Sequence, residues 1–154
     1  MGEAMMKLTH RCAKNTEKGQ SLIELAISMI ILMILLAGIV DLGRALFTRF
    51  TLMDAAEEGI IYGIGFPTDC NQIVERIQAN LSSRVLPESV NISVNIQRND
   101  GTFSTCYIIP FAEVYAGKIL RVNVSSDFAI GMPFLGTFVG GQSIPLEVEA
   151  NGII

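Results

Sequence analysis

From Leu25 to Val40 the chain runs sixteen residues without a charge. Counted from Gln20, the stretch is 21 residues and would rise about 31 Å as a helix, the thickness of a bilayer's hydrocarbon. The pattern predicts a membrane-spanning helix. Beyond Val40 the apolar positions thin to one face. Leu42, Leu46, Phe50, Met53 and Ile60 recur mostly at three- or four-residue steps, with Arg44, Arg49, Asp54, Glu57 and Glu58 between them. No proline precedes Pro67 in this stretch, so one helix is expected from about Gln20 to about Tyr62, its first half in lipid and its second half amphipathic. Asp41 and Arg44, three residues apart, can pair where that helix leaves the membrane.

Gly63-Ile-Gly65-Phe-Pro67 predicts a break. Thr68 or Asp69 can cap a second helix, running to about Leu86 with Cys70, Ile73, Ile77, Leu81 and Val85 on its buried face. After Pro87 the period falls to two. Val90, Ile92, Val94 and Ile96 alternate with polar residues, Asn99-Asp100-Gly101 signals a hairpin, and Thr102 to Ile108 can return as a second strand. Two more strands are marked by Leu120, Val122 and Val124, and by Ile144, Leu146, Val148 and Ala150. Pro145 suggests that the last is an edge. The expected fold class is α+β: a long N-terminal helix, then a small head of one helix on an antiparallel sheet of about four strands. The expected segments are a leader at 1–19, a transmembrane then amphipathic helix at 20–63, and an extracytoplasmic head at 64–154.

Charge sharpens this picture. Residues 1–19 carry four basic groups against two acidic ones, a net of +2 within a total of −4. A basic start before an apolar run is the pattern of a membrane-inserted N-terminus, with the leader in the cytoplasm and everything after about residue 45 outside. A cleaved secretory signal is the nearer competitor, but Leu36-Ala37-Gly38-Ile39 matches its cleavage site poorly and Glu24 is wrong for it. No basic cluster follows residue 20, which argues against nucleic acid as a partner. Cys12 falls in the leader, whereas Cys70 and Cys106 fall outside, where a disulfide can persist. Such a bridge would close a loop of about 36 residues; the alternative is two unpaired buried thiols.

Candidate chemistry is sparse. The single histidine is His10 in the leader, so no Ser-His or Cys-His pair can form in the head, and no histidine metal cluster is available there. Gly63-x-Gly65 lacks the third glycine of a nucleotide loop. Glu57 and Glu58 point about 100° apart on a helix, and Glu147 and Glu149 share the exposed face of the last strand. Asn80-Leu-Ser82, Asn91-Ile-Ser93 and Asn123-Val-Ser125 match the short N-glycosylation pattern, which has a high false-positive rate. No catalytic, cofactor-binding or metal-binding residue is expected, and the chain reads as a non-enzyme.

One motif remains. Gly19-Gln20-Ser-Leu-Ile-Glu24, after a basic leader and at the head of an apolar helix, resembles the processing signature of type IV prepilins. The closer resemblance is to the TadE-like family of tight-adherence (Flp, type IVb) pilus systems. It rests on Gly19-Gln20-Ser-Leu-Ile-Glu24-Leu-Ala26, on Gly38-Ile-Val-Asp-Leu-Gly43-Arg44, and on Asp54-Ala55-Ala56-Glu57-Glu58-Gly59-Ile-Ile-Tyr62-Gly63. The likeness is good over residues 18–63 and looser after them. Glu57 stands where an arginine is common, and Leu25 where major Flp pilins usually carry tyrosine or phenylalanine. Major pilins are also much shorter.

The resemblance implies a minor pilin or pseudopilin of the bacterial inner membrane, cut by a prepilin peptidase between Gly19 and Gln20. Its implied partners are other pilin subunits, that peptidase, membrane lipid, and the assembly platform with its ATPase. Its implied role lies in pilus assembly, adhesion and biofilm formation. Cleavage would leave a free amine at Gln20, about 6 Å along the helix from Glu24. The carboxylate could snorkel to the interface or neutralise a neighbouring subunit's amine. The competing reading is an uncleaved single-pass anchor presenting a ligand-binding or sensory head, with the 131–141 loop as the stretch to nominate.

Overall fold

The computed structural model describes residues 16–81, 89–132 and 140–154. Helix α1 spans Thr16–Gly65 and helix α2 spans Cys70–Leu81. Strands β1 (Val90–Gln97), β2 (Phe103–Thr105), β3 (Ile119–Ala129) and β4 (Ser143–Ile153) follow, with a short 3₁₀ turn at Phe111–Glu113 between β2 and β3. The strands form one antiparallel sheet in the order β2-β1-β3-β4. The α+β expectation and its four-stranded sheet hold, and β4 is an edge strand, as Pro145 suggests.

Two compact units divide the chain, residues 1–40 and residues 41–154. The first contains only the apolar part of α1 among its described residues. The second begins at Asp41, so the amphipathic part of α1 belongs to the head's core. There Leu52, Ala55, Ala56 and Ile60 of α1 join Ile73, Ile77 and Leu81 of α2 against one face of the sheet. The sheet supplies Val94, Ile96, Leu120, Val122, Val124 and Val148. Alternation along β3 buries Leu120, Val122, Val124, Ser126 and Phe128 on this side, while Arg121, Asn123, Ser125 and Asp127 face outward.

Several boundaries differ from the sequence expectation, each for a local reason. Helix α1 does not stop near Tyr62. It runs to Gly65, where the Phe66 N–H reaches the Tyr62 carbonyl at 3.1 Å before Pro67. Helix α2 is capped by Asp69, whose carboxylate accepts the Gln72 N–H at 3.3 Å, and its described part ends at Leu81. The expected continuation through Val85 to Leu86 lies outside the described residues. Strand β2 has three residues rather than seven, because the chain turns after Cys106, with the Ile108 N–H on the Thr105 carbonyl at 2.9 Å. Strands β3 and β4 each extend past the alternation used to find them, to Ala129 and Ile153.

The β1–β2 turn follows its Asn-Asp-Gly signal. Gly101 takes φ +84°, a left-handed conformation that side chains avoid, and the Arg98 N–H bonds the Thr102 carbonyl at 2.7 Å. The Asp100 carboxylate accepts from the Thr102 hydroxyl at 2.6 Å and its N–H at 2.9 Å, and these bonds hold its pKa below the ordinary value. Arg98 donates twice to Glu113, at 3.2 Å each. That hydrogen-bonded pair lowers the Glu113 pKa and raises that of Arg98.

Cys70 and Cys106 are bonded, with their Cα atoms 5.9 Å apart, and so tie the start of α2 to the turn after β2. In the chain-entropy view, closing a loop of this length stabilises by about 3–4 kcal/mol. Replacing both cysteines with serine should therefore lower the head's unfolding free energy by about that amount, read by chemical denaturation with and without reductant. The turn makes a second prediction. Folding depresses the Glu113 and Asp100 pKa values, so their contribution is complete above their ordinary carboxylate range and fades as pH falls through the depressed values. Head stability should decline below about pH 4, and Glu113→Gln should flatten part of that decline.

Candidate processing segment and packing joint

The apolar part of α1 offers its side chains outward. Leu22, Ile23, Leu25 and Met29 are each more than 60% exposed, and none of the helix's most apolar window is buried. Among the described residues, α1 is the one helix long and apolar enough to cross a membrane. An apolar surface this long, continuous around the helix, calls for lipid or other helices as its surroundings. Gly19 and Gln20 lie within α1 near its start, and a Cβ built at Gly19 meets nothing within 4 Å. Glu24 is exposed one turn further on, beside Gln20, Ile23, Ile27 and Ser28.

The third motif block sits in the core. Ala55 and Ala56 are fully buried. A Cβ on Gly59 would come within 2.6 Å of the Ile77 side chain of α2, and one on Gly63 would overlap Leu120 of β3 and press on Ile73. The small residues let α1 approach α2 and the sheet far closer than larger side chains would allow. Around this joint Arg76 of α2 meets Glu58 at 3.5 Å and lies over the Tyr62 ring at 4.9 Å. The Tyr62 hydroxyl donates to Asp69 at 3.4 Å, and its ring stacks on Phe66. Both members of the Arg76–Glu58 pair are more than a third exposed, so the pair contributes at most about 1 kcal/mol.

The middle block behaves differently. Gly43 faces open space. Arg44 contacts Asp41 at 3.4 Å, as the three-residue spacing predicts, and lies 5.4 Å from the Phe128 ring. Asp41 does more than pair locally. Its carboxylate is largely buried and accepts the Met132 N–H at 2.8 Å, holding the chain beyond β3 to the start of the head's part of α1. Gly131 makes room for this contact, since a Cβ there would stand 2.9 Å from the Asp41 carboxylate. Sequence reasoning missed the Met132 link. The partners are 91 residues apart, and the only local signal is an acid directly after an apolar run. Of the nominated 131–141 loop, residues 133–139 lie outside the described residues.

The three blocks thus do three jobs: an exposed apolar surface, a carboxylate latch, and a close-packed joint. Gly63→Ala should destabilise the head by about 1–3 kcal/mol through overpacking against Leu120. Gly43→Ala, which meets nothing, should leave stability unchanged or raise it by up to about 1 kcal/mol. Denaturant midpoints of the two variants side by side provide the check.

A family model described as TadE-like protein matches residues 19–60. No curated protein and no solved structure matches the chain. The matched stretch opens at Gly19, takes in Glu24 and the Gly43-Arg44 pair, and reaches the buried Ala55, Ala56 and Gly59. Over residues 19–60 the chain is therefore similar to the TadE-like family, the one that its motifs resemble.

Proposed function

We propose that the chain is a structural, membrane-anchored minor pilin or pseudopilin acting in assembly of a tight-adherence (Flp, type IVb) pilus, and through it in adhesion and biofilm formation. The observation that carries this reading is the TadE-like match beginning at Gly19, the residue after which a prepilin peptidase would cut. The wholly exposed apolar helix supports it, because such a surface suits first lipid and then the apolar helices of neighbouring subunits. In this reading the basic leader stays on the cytoplasmic side of the inner membrane and the disulfide-tied head stands outside. Its partners are other pilins, the peptidase, and the assembly platform with its ATPase.

Glu24 then acquires a purpose. Cleavage leaves a positive amine on Gln20, and an unpaired acid at a bilayer's centre costs about 2.5–3.5 kcal/mol. Pairing Glu24 with a neighbour's amine offsets that cost only in the correct helix register, so the acid selects the register.

Intact-protein mass spectrometry tests the reading in cells with an active prepilin peptidase. The expected chain begins at Gln20; a chain beginning at Met1 would overturn the processing step and favour the uncleaved anchor. Glu24→Ala should insert and be cut normally yet support fewer pili, counted by electron microscopy. Normal pilus numbers would remove the pairing role.

A further inference from the structure

Strand β4 ends the sheet, and among the described residues no strand pairs with its outer edge. Its register against β3 runs without a break from Ile119↔Ile153 to Ala129↔Ser143. Just beyond the two ends of that register, Ile130 donates to the Gln142 carbonyl and Ile154 donates to the Lys118 carbonyl, both at 2.9 Å. Antiparallel strands turn alternate residues toward each neighbour. The even-numbered residues of β4 therefore bond β3, and the odd-numbered ones direct their N–H and C=O groups outward. Pro145, which has no N–H to offer, falls in the outward set, as do Glu147, Glu149 and Asn151.

Beside this edge runs a groove of about 380 Å³. Its helical wall is Leu46, Arg49, Phe50 and Met53, and its other wall is Glu147 to Glu149. Phe50 is 64% exposed and Leu46 46% exposed, on the part of α1 that belongs to the head. An added strand would place successive side chains on opposite faces. Those on the helix side would cover Leu46, Phe50 and Met53. Those on the other side would stand opposite Glu147 and Glu149, which are exposed on the outer face, Glu149 also meeting Arg121 of β3 at 3.2 Å.

We propose that this edge is a docking site for an extended strand of a different protein chain in which apolar and basic residues alternate. The charge pattern selects against a second copy. Strand β4 contains two glutamates and no lysine or arginine, so two β4 strands brought together around Val148 would oppose carboxylate to carboxylate. Acidic residues on an edge deter self-pairing, and the same residues favour a cationic partner. Backbone bonds along an edge supply affinity, while the alternate side chains supply selectivity. The inference does not rest on the pilus reading.

The test uses the full chain in a neutral detergent and a synthetic peptide of five Lys-Val repeats. Binding should protect the amides of Glu149 and Asn151 from hydrogen exchange. It should weaken about tenfold in the Glu147→Lys, Glu149→Lys double variant, with like charges now opposed. On the native chain, a peptide N-methylated at its edge-pairing amides should fail to bind, which removes dependence on how the variant folds. Unchanged affinity in the double variant, equal binding of the methylated peptide, absence of edge protection, or self-association of the chain through β4 would each overturn the proposal.

Discussion

The head depends on how closely α1 can approach what lies beneath it. At Gly59 and Gly63 the helix has no side chain, and the space is taken by Ile77 and Ile73 of α2 and Leu120 of β3. Fully buried Ala55 and Ala56 continue the same narrow strip. Close contact at this density removes water from Leu52, Ile73, Ile77 and Leu120 together, so packing and hydrophobic burial are secured by the same absent atoms. Gly152 repeats the arrangement on β4, where a Cβ would stand 2.6 Å from Ile60. Two elements far apart in sequence thus meet through glycine.

One helix therefore follows two rules along its length. From Leu25 to Val40 its composition is uncharged around the whole circumference, and its most apolar window has no buried residue. After Asp41 the apolar residues are divided between a buried strip and an exposed flank, with charges between them. The change occurs at Asp41, a largely buried carboxylate satisfied by a backbone N–H and by Arg44. A carboxylate with these partners is stable at a position where an unpartnered one would be costly.

Much of the fold was legible because its signals are periodic or chemical. The uncharged run, the alternation of β1, the Asn-Asp-Gly turn, the Asp69 cap and the Pro145 edge each have a local cause that a sequence displays. What was not legible depends on distance. Gly63 read as a helix breaker, since a sequence cannot say that Leu120 occupies the space beside it. The short β2 reflects a turn at Cys106, where the chain is tied across to Cys70. The Asp41–Met132 bond has no periodic signature at all. For the candidate site, Gly19 and Glu24 were legible as a spacing, while the packing role of Ala55, Ala56, Gly59 and Gly63 required the tertiary contacts.

The placement of β4 has a consequence for synthesis. The strand that closes the core against Ile60 leaves the ribosome after every other described element, and α1 leaves before them. Until residue 153 is available, the floor beneath Ile60 and Ile64 is missing and β3 has an unpaired side. The head is thus built to fold once β4 has been made rather than progressively, with α1 waiting in place for that strand. A chain lacking β4 would lose a whole layer of closure rather than a frayed end.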